Sequence, residues 1–249
     1  MTGQPGLRRF LRPPADAGPP GSAADAVAAA GSAGTGPAGL GSPAASPDGA
    51  AAPGPAPGRP EETCELCAAP IGPVHSHLAD LEQSSLSCAC RACYLLFTEP
   101  GAGRGRYRAV PDRYLRDRAR PLTAAEWGEL DVPVGLAFFL NSSRRGQVCG
   151  FYPSPAGVTE CTLDLAAWAR LSHAHPLLPA AAADVEAVLV SRADADVECF
   201  VVPIDACYEL AGRMRMLWRG FDGGAEARQS IAEFLDSVRA RARDLPPER

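Results

Sequence analysis

Lysine is missing from this sequence, because all 24 basic residues among its 249 are arginine. Together with the excess of Ala, Gly and Pro, this bias indicates a GC-rich genome rather than a mechanism. The net charge of −5 gives no overall signal for nucleic-acid binding. An apolar run of about 18 residues is also missing, so we expect no membrane span. Gly-rich phosphate loops, GxSxG elbows and HExxH motifs are absent too, and we expect a non-catalytic protein.

The first sixty residues have almost nothing with which to build a core. Ala, Gly, Pro and Ser dominate from Met1 to Pro60, and Phe10 is the only aromatic residue there. Such a segment cannot bury enough apolar surface to offset its ordering entropy, which predicts a disordered tail over residues 1–60. Pro residues rather than an apolar run follow Arg8 and Arg9, which argues against twin-arginine export. Nine cysteines without an export signal then favour a reducing, cytoplasmic location.

The remaining sequence divides by composition into three parts. We predict a Cys/His metal-binding module over residues 61–97, an Arg/Gly-rich connector over 98–121 and an α+β domain over 122–243. In the last part we expect strands at 134–140, 147–152, 158–163, 184–191 and 197–204, helices that begin at Asp164 and Asp205, and a final amphipathic helix near the C-terminus. This order of elements predicts an α+β fold in which an antiparallel sheet carries its helices on one face, preceded by a small two-knuckle metal-binding hairpin.

Two CxxC pairs are the strongest chemical signal in the sequence. Cys64 and Cys67 form the first pair, and Cys90 and Cys93 form the second pair after 22 intervening residues. Each pair can place two thiolates on one side of a tight turn, and two such knuckles complete a tetrahedral four-sulfur shell. Zn²⁺ accepts that geometry, which predicts a structural zinc site.

The same two knuckles also describe a rubredoxin-type iron site. Iron knuckles usually carry Gly directly after the second cysteine, whereas Ala68 and Tyr94 stand there in this sequence. This difference favours zinc, with a rubredoxin-like electron carrier as the alternative.

His75, His77 and Cys88 are further ligands between the two knuckles. A hairpin with a two-residue loop at 83–84 predicts His77 opposite Cys90, with these three side chains on the same face as Cys90. Three arrangements remain open. His77 and Cys88 can surround a four-cysteine metal without binding it, a histidine can replace one cysteine, or a second metal can bind His75, His77 and Cys88.

Arginine is concentrated at residues 91–120, which contain eight arginines and only three acidic residues. Such a segment can bind nucleic-acid phosphates beside a zinc ribbon. Because the flanking segments are acidic, the arginines can equally pair with them or dock an acidic protein. We expect a protein partner rather than nucleic acid, and keep a zinc-ribbon nucleic-acid binder as an alternative.

The other cysteines and histidines have simpler interpretations. His173 and His175 stand two residues apart before Pro176, which predicts a polar helix terminus rather than a metal site. The remaining cysteines are expected to be buried as small apolar side chains. They are Cys149, Cys161, Cys199 and Cys207.

Several stretches taken together are similar to one family. They are CELC, HSHLADLE, CACRACYLLF, GRYRAVPDRY, VPVGLAFF, FYPSPAG and VPIDACYEL. They resemble an uncharacterised bacterial family often encoded beside high-affinity uptake nickel-iron hydrogenases in high-GC Gram-positive bacteria. The resemblance covers residues 61 to about 240 and brings no assigned activity. It implies an accessory role in hydrogenase assembly or electron delivery, with a hydrogenase subunit or maturation factor as the partner.

Overall fold

The computed structural model describes residues 62–155, 157–193, 196–220 and 223–246. The predicted disorder of residues 1–60 therefore lies outside the described residues. The strands are β1 (Ser76–Asp80), β2 (Ser85–Ala89), β3 (Tyr107–Ala109), β4 (Leu115–Arg116), β5 (Leu136–Ser142), β6 (Gln147–Ser154), β7 (Gly157–Cys161), β8 (Glu186–Ala193), β9 (Asp196–Pro203) and β10 (Arg243–Asp244). The α-helices are α1 (Arg91–Leu95), α2 (Ala124–Glu129), α3 (Leu165–Ala174), α4 (Ile204–Leu217) and α5 (Gly224–Arg241).

Within the described ranges the strands form two sheets. The larger sheet has seven strands in the order β10-β4-β9-β8-β5-β6-β7, and the smaller has three in the order β2-β1-β3. Only the short β10–β4 pairing is parallel. The predicted α+β class with an antiparallel sheet is confirmed.

Helices cover both faces of the larger sheet, whereas we expected them on one face. Trp127 of α2 and Trp168 of α3 pack with Phe139 of β5 on one side. On the other side, α4 and α5 pack against alternate residues of the same strands, among them Phe138. The reason is visible in β8, where Val188, Leu189 and Val190 are consecutive and at most 1% exposed. A strand that is apolar at consecutive positions needs cover on both faces.

The Arg/Gly-rich connector contributes a strand to each sheet. Its β3 pairs with β1 in the smaller sheet, and its β4 pairs with β9 in the larger one. The smaller sheet also packs on the larger one, since Ala79 and Leu86 belong to the same apolar cluster as α4 and α5.

The hairpin β1–β2 has a longer turn than we predicted. His77 pairs with Cys88 and Ala79 with Leu86, so the register differs by two residues from the predicted one. Asp80 explains the longer turn, because its Oδ1 accepts hydrogen bonds at 3.0 Å from the backbone N–H groups of Glu82 and Gln83. A shift of two residues leaves every side chain on its predicted face, because side chains alternate along a strand.

The two helix starts that we predicted have different outcomes. Asp164 caps α3 as expected, since its Oδ1 accepts from the N–H groups of Ala166 at 2.8 Å and Ala167 at 3.0 Å. The prediction for Asp205 was wrong. Strand β9 runs directly into α4, Pro203 is the N-cap, and Asp205 lies in the first turn. Its carboxylate instead accepts a hydrogen bond from His77.

No helix in the part of the chain that the structure describes combines the length and apolar character needed to cross a membrane.

Candidate metal centres

The first cysteine knuckle is a tight turn closed by backbone hydrogen bonds. The Cys64 N–H donates to the carbonyl of Ala69, and the Ala68 N–H donates to the carbonyl of Cys64, both at 2.8 Å. Ala68 has a φ of 59°, in the left-handed region. The N–H of Glu65 donates to the carbonyl of Cys88 at 2.9 Å, which attaches this knuckle to β2.

The second knuckle is the start of a helix. Cys90 is the N-cap of α1, and its Sγ accepts a hydrogen bond from the backbone N–H of Cys93 at 3.4 Å. Sulfur thus occupies the position that an oxygen usually takes in an N-cap. Cys90 lies just beyond β2, so the hairpin delivers this knuckle beside the first one.

The two knuckles bring four sulfur atoms together. The Sγ atoms of Cys64, Cys67, Cys90 and Cys93 all lie within 4.8 Å of one another. The Cys67 and Cys90 sulfurs are 3.7 Å apart. Four sulfurs at the usual Zn–S distance of about 2.3 Å define a tetrahedron whose edges are about 3.8 Å. None of the nine cysteines is in a disulfide, so these four side chains can bind a tetrahedral metal without breaking a sulfur–sulfur bond.

Proton affinity is distributed unevenly within the four-cysteine cluster. Burial acts to raise the pKa of Cys64, but hydrogen bonds from the backbone N–H groups of Cys90, Leu66 and Cys67 outweigh it and lower that pKa to about 6. Hydrogen bonding to Cys67 and burial raise the pKa of Cys93 to about 12. The neighbouring sulfur atoms and burial therefore oppose ionisation of Cys93, and a divalent cation bound among the four sulfurs would favour its thiolate form.

His75, His77 and Cys88 form a second cluster, separate from the first. Their ligand atoms also lie within 4.8 Å of one another, and the two imidazole rings are 4.8 Å apart in an edge-to-face arrangement. The Nδ1 atom of His75 lies 2.9 Å from the carbonyl of Gly72. The Nδ1 atom of His77 lies 2.9 Å from Oδ2 of Asp205. The seven candidate ligands thus divide into a group of four and a group of three.

A metal ion at the second cluster must compete with a proton for His77. Burial acts to lower the pKa of His77, but hydrogen bonds to Asp205 and Cys88 outweigh it and raise that pKa to about 9. A metal ion that binds His77 must therefore displace a proton.

Most of the clustered arginines form ion pairs with acidic residues. Of the eight arginines between 91 and 120, all within the described ranges, six do so: Arg106, Arg108, Arg113, Arg116, Arg118 and Arg120. Arg91 stacks on Tyr94 instead. Most of the positive charge is thus neutralised within the fold, which favours our interpretation of acid pairing over phosphate binding.

Sequence reasoning missed the partner of Arg113. Glu186 is fully buried, and its two carboxylate oxygens accept from Nε of Arg113 at 2.8 Å and Nη2 at 2.5 Å. The N–H of Ala182 donates to the same carboxylate at 2.8 Å. In the sequence, the only sign of this buried pair is one glutamate among the apolar residues of β8.

His175 ends α3 as expected, but it is buried. Its Nε2 lies 2.9 Å from Oε1 of Glu126, and its Nδ1 lies 3.2 Å from the carbonyl of Arg120. It therefore joins α3 to α2 and to the connector, and it belongs to neither group of three or more candidate ligands found among the described residues. Cys149 and Cys207 are buried as predicted. The other two cysteines outside the clusters, Cys161 and Cys199, are half-buried.

Comparison with known proteins gives a family but no activity. No curated protein matches the chain, and no solved structure matches it. A family of unknown function, DUF5947, matches residues 63–242, a range that contains both clusters and both sheets apart from β10. This match covers well over half of the chain. The chain therefore belongs to the family of unknown function DUF5947.

Proposed function

We propose that this chain is a non-catalytic, metal-binding accessory protein that acts through protein contacts. In this proposal Cys64, Cys67, Cys90 and Cys93 hold one structural Zn²⁺ ion. The observation that carries the proposal is the set of four sulfurs within 4.8 Å, with one pair at 3.7 Å, close to the edge of a zinc tetrahedron.

A structural role follows from the size of the surrounding core. The apolar cluster around the cysteines contains few fully buried side chains, chiefly Leu78 and Ala89. The other face of this three-stranded sheet packs on the larger sheet, but the part that carries the cysteines has only this small core, which a metal cross-link would stabilise. Four thiolates also close the coordination shell, which leaves no position for a substrate.

A rubredoxin-like iron site is the second candidate, and one observation favours it. Ala68 adopts the left-handed conformation that glycine adopts most easily, so the first knuckle has the turn of a glycine-containing one. The missing glycine is therefore a weaker argument against iron than it is from the sequence alone.

The proposed partner is a protein. The resemblance to a family encoded beside nickel-iron hydrogenases makes a hydrogenase subunit or maturation factor the first partner to test, in the cytoplasm. The nine free thiols agree with a reducing compartment.

Metal content of the anaerobically purified full chain tests the proposal. We expect Cys93→Ser to lose one equivalent of bound zinc relative to the unmodified protein, and the control Cys149→Ser, whose cysteine is buried outside both clusters, to lose none. A red protein whose visible band is bleached by dithionite would support iron and overturn zinc. Equal zinc content in Cys93→Ser and Cys149→Ser would contradict the proposal that the four cysteines bind zinc. Co-purification with a hydrogenase subunit, compared with an unrelated bait, tests the partner.

A further inference from the structure

We propose that His75, His77 and Cys88 form a second metal site, an open one, which binds Zn²⁺ through three protein ligands and a water molecule. This site is distinct from the four-cysteine cluster, because the two groups share no residue. A thiolate and two imidazoles are a ligand set that Zn²⁺ accepts, and three protein ligands with one exchangeable position are typical of zinc sites that are not purely structural.

The ring nitrogen of His75 is the first argument. Its side chain is only 10% exposed, and its Nε2 is buried without any hydrogen-bond partner. Buried polar atoms in proteins nearly always have a partner, so an unpaired one calls for an explanation. The bond from Nδ1–H to the carbonyl of Gly72 at 2.9 Å assigns the proton to Nδ1. The lone pair of Nε2 is then free to bind a cation.

The carboxylate behind His77 is the second argument. Oδ2 of Asp205 lies 2.9 Å from Nδ1 of His77, which leaves Nε2 as the ligand atom. Histidines that bind metals commonly donate their other N–H group to a carboxylate in this way, which sets the ring orientation and raises ligand basicity. Asp205 comes from α4, 128 residues away in the sequence, so the fold itself brings this carboxylate to the histidine.

Cys88 completes the set from the neighbouring strand. It stands directly opposite His77 in the hairpin and is half-buried. Its backbone is held on both sides by Glu65, whose N–H donates to the Cys88 carbonyl at 2.9 Å and whose Oε1 accepts from the Cys88 N–H at 3.2 Å. One thiolate and Asp205 together balance the two charges of Zn²⁺, so the occupied site is neutral.

The position of the site gives the metal a second consequence. His75 precedes β1, His77 lies in β1 and Cys88 lies in β2. Asp205 lies in α4, which packs on the larger sheet. A bound ion would therefore hold the hairpin and, through Asp205, its contact with α4. Three protein ligands leave the fourth position of the tetrahedron to a water molecule or another small ligand.

Cobalt titration of the metal-free full chain tests this proposal, because Co²⁺ reports thiolate ligands by its charge-transfer absorption. We expect two binding steps in the unmodified protein. Cys88→Ser should remove one step and Cys93→Ser the other, while Cys149→Ser keeps both. Asp205→Asn should keep both steps but weaken the second-cluster step about 10- to 100-fold, since Asp205 orients a ligand without binding the metal.

X-ray absorption of the zinc-loaded unmodified protein provides a test that needs no variant to fold. Imidazole scattering beside sulfur scattering is the expected result in the unmodified protein. The paired variant His75→Ala/His77→Ala, where it folds, should lose the imidazole scattering and so assign it to these two residues. One Co²⁺ equivalent and a sulfur-only shell in the unmodified protein would overturn the second site while leaving the four-cysteine site intact. Two equivalents that persist in Cys88→Ser would also overturn it.

Discussion

Ala68 occupies a backbone conformation that alanine rarely adopts. Its φ of 59° follows the second cysteine of the first knuckle, where its N–H closes the turn to the carbonyl of Cys64. The left-handed region costs an L-residue about 1–2 kcal/mol relative to glycine. The knuckle therefore forms against local strain, which the surrounding hydrogen bonds and the proposed metal offset.

Ala68→Gly is expected to stabilise the zinc-loaded protein by about 0.5–1 kcal/mol. Relief of the left-handed strain exceeds the extra flexibility that glycine gives the unfolded chain. Urea unfolding at a fixed zinc concentration measures the change. Ala69→Gly is the matched control, because Ala69 is not among the described residues with positive φ, and it should destabilise. Equal effects of the two variants would contradict the strain argument.

The candidate ligands themselves could be predicted residue by residue. All seven were visible as cysteine and histidine at hairpin spacing, and the structure places all of them in two clusters. Asp205 could not be assigned to His77, because the two residues are 128 positions apart and Asp205 has the sequence signature of a helix cap.

The sequence predicted which segments form strands and helices, but neither the register of the hairpin nor the faces of the sheet that the helices cover. The β1–β2 hairpin was expected, yet its register depends on how Asp80 folds the turn, through two backbone hydrogen bonds that spacing alone does not reveal. The side chains still lie on the predicted face, because the register is shifted by two residues and side chains alternate along a strand. Likewise, the apolar runs of β5 and β8 predicted strands, while their consecutive burial decided that helices lie on both faces.

Helices α2 and α3 are joined by a polar contact that should respond to acid. Hydrogen bonds from His175 and Thr123 lower the pKa of Glu126 from 4.5 to about 2. A carboxylate with a lowered pKa stabilises the folded state fully above pH 4.5, and this contribution is lost as the pH falls towards 2.

Glu126→Gln is expected to be less stable than the unmodified protein at pH 6, and the difference should shrink at pH 3. Glutamine keeps the size of the side chain but lacks the charge, so it does not share this pH dependence. Urea unfolding at both pH values measures the difference in unfolding free energy between the two proteins. Because both proteins lose metal in acid, that loss largely cancels in the difference. Glu129→Gln, which removes an exposed pair with Arg170, is the control and should show little change. A difference independent of pH would refute the assignment.

Across the whole molecule, the two sheets differ in what stabilises them. The larger sheet lies between two extensive apolar clusters, whereas the smaller sheet shares one of them on one face and has only a small core and a proposed metal cross-link beside its cysteines. Their stabilities should therefore separate when metal is removed.

Chelation under reducing conditions is expected to speed hydrogen exchange in β1, β2 and α1 and to leave β5 and β8 protected. The reason is that the larger sheet keeps its apolar cover, while the smaller one loses the cross-link that its core needs. Hydrogen-exchange mass spectrometry resolves these segments, and Cys93→Ser without chelator should reproduce the pattern. Uniform deprotection of both sheets would show that they unfold as one unit.

The sequence by itself determined which residues are candidate ligands, the antiparallel α+β class and the absence of long apolar runs, because these follow from local spacing and periodicity. Only the tertiary structure decided how the seven candidate ligands divide, which register the hairpin takes and that Asp205 stands behind His77. Those outcomes depend on contacts between distant segments, where packing and burial select one partner among several that local patterns allow. The same holds for the arginines, several of which pair with acidic residues from distant segments of the chain.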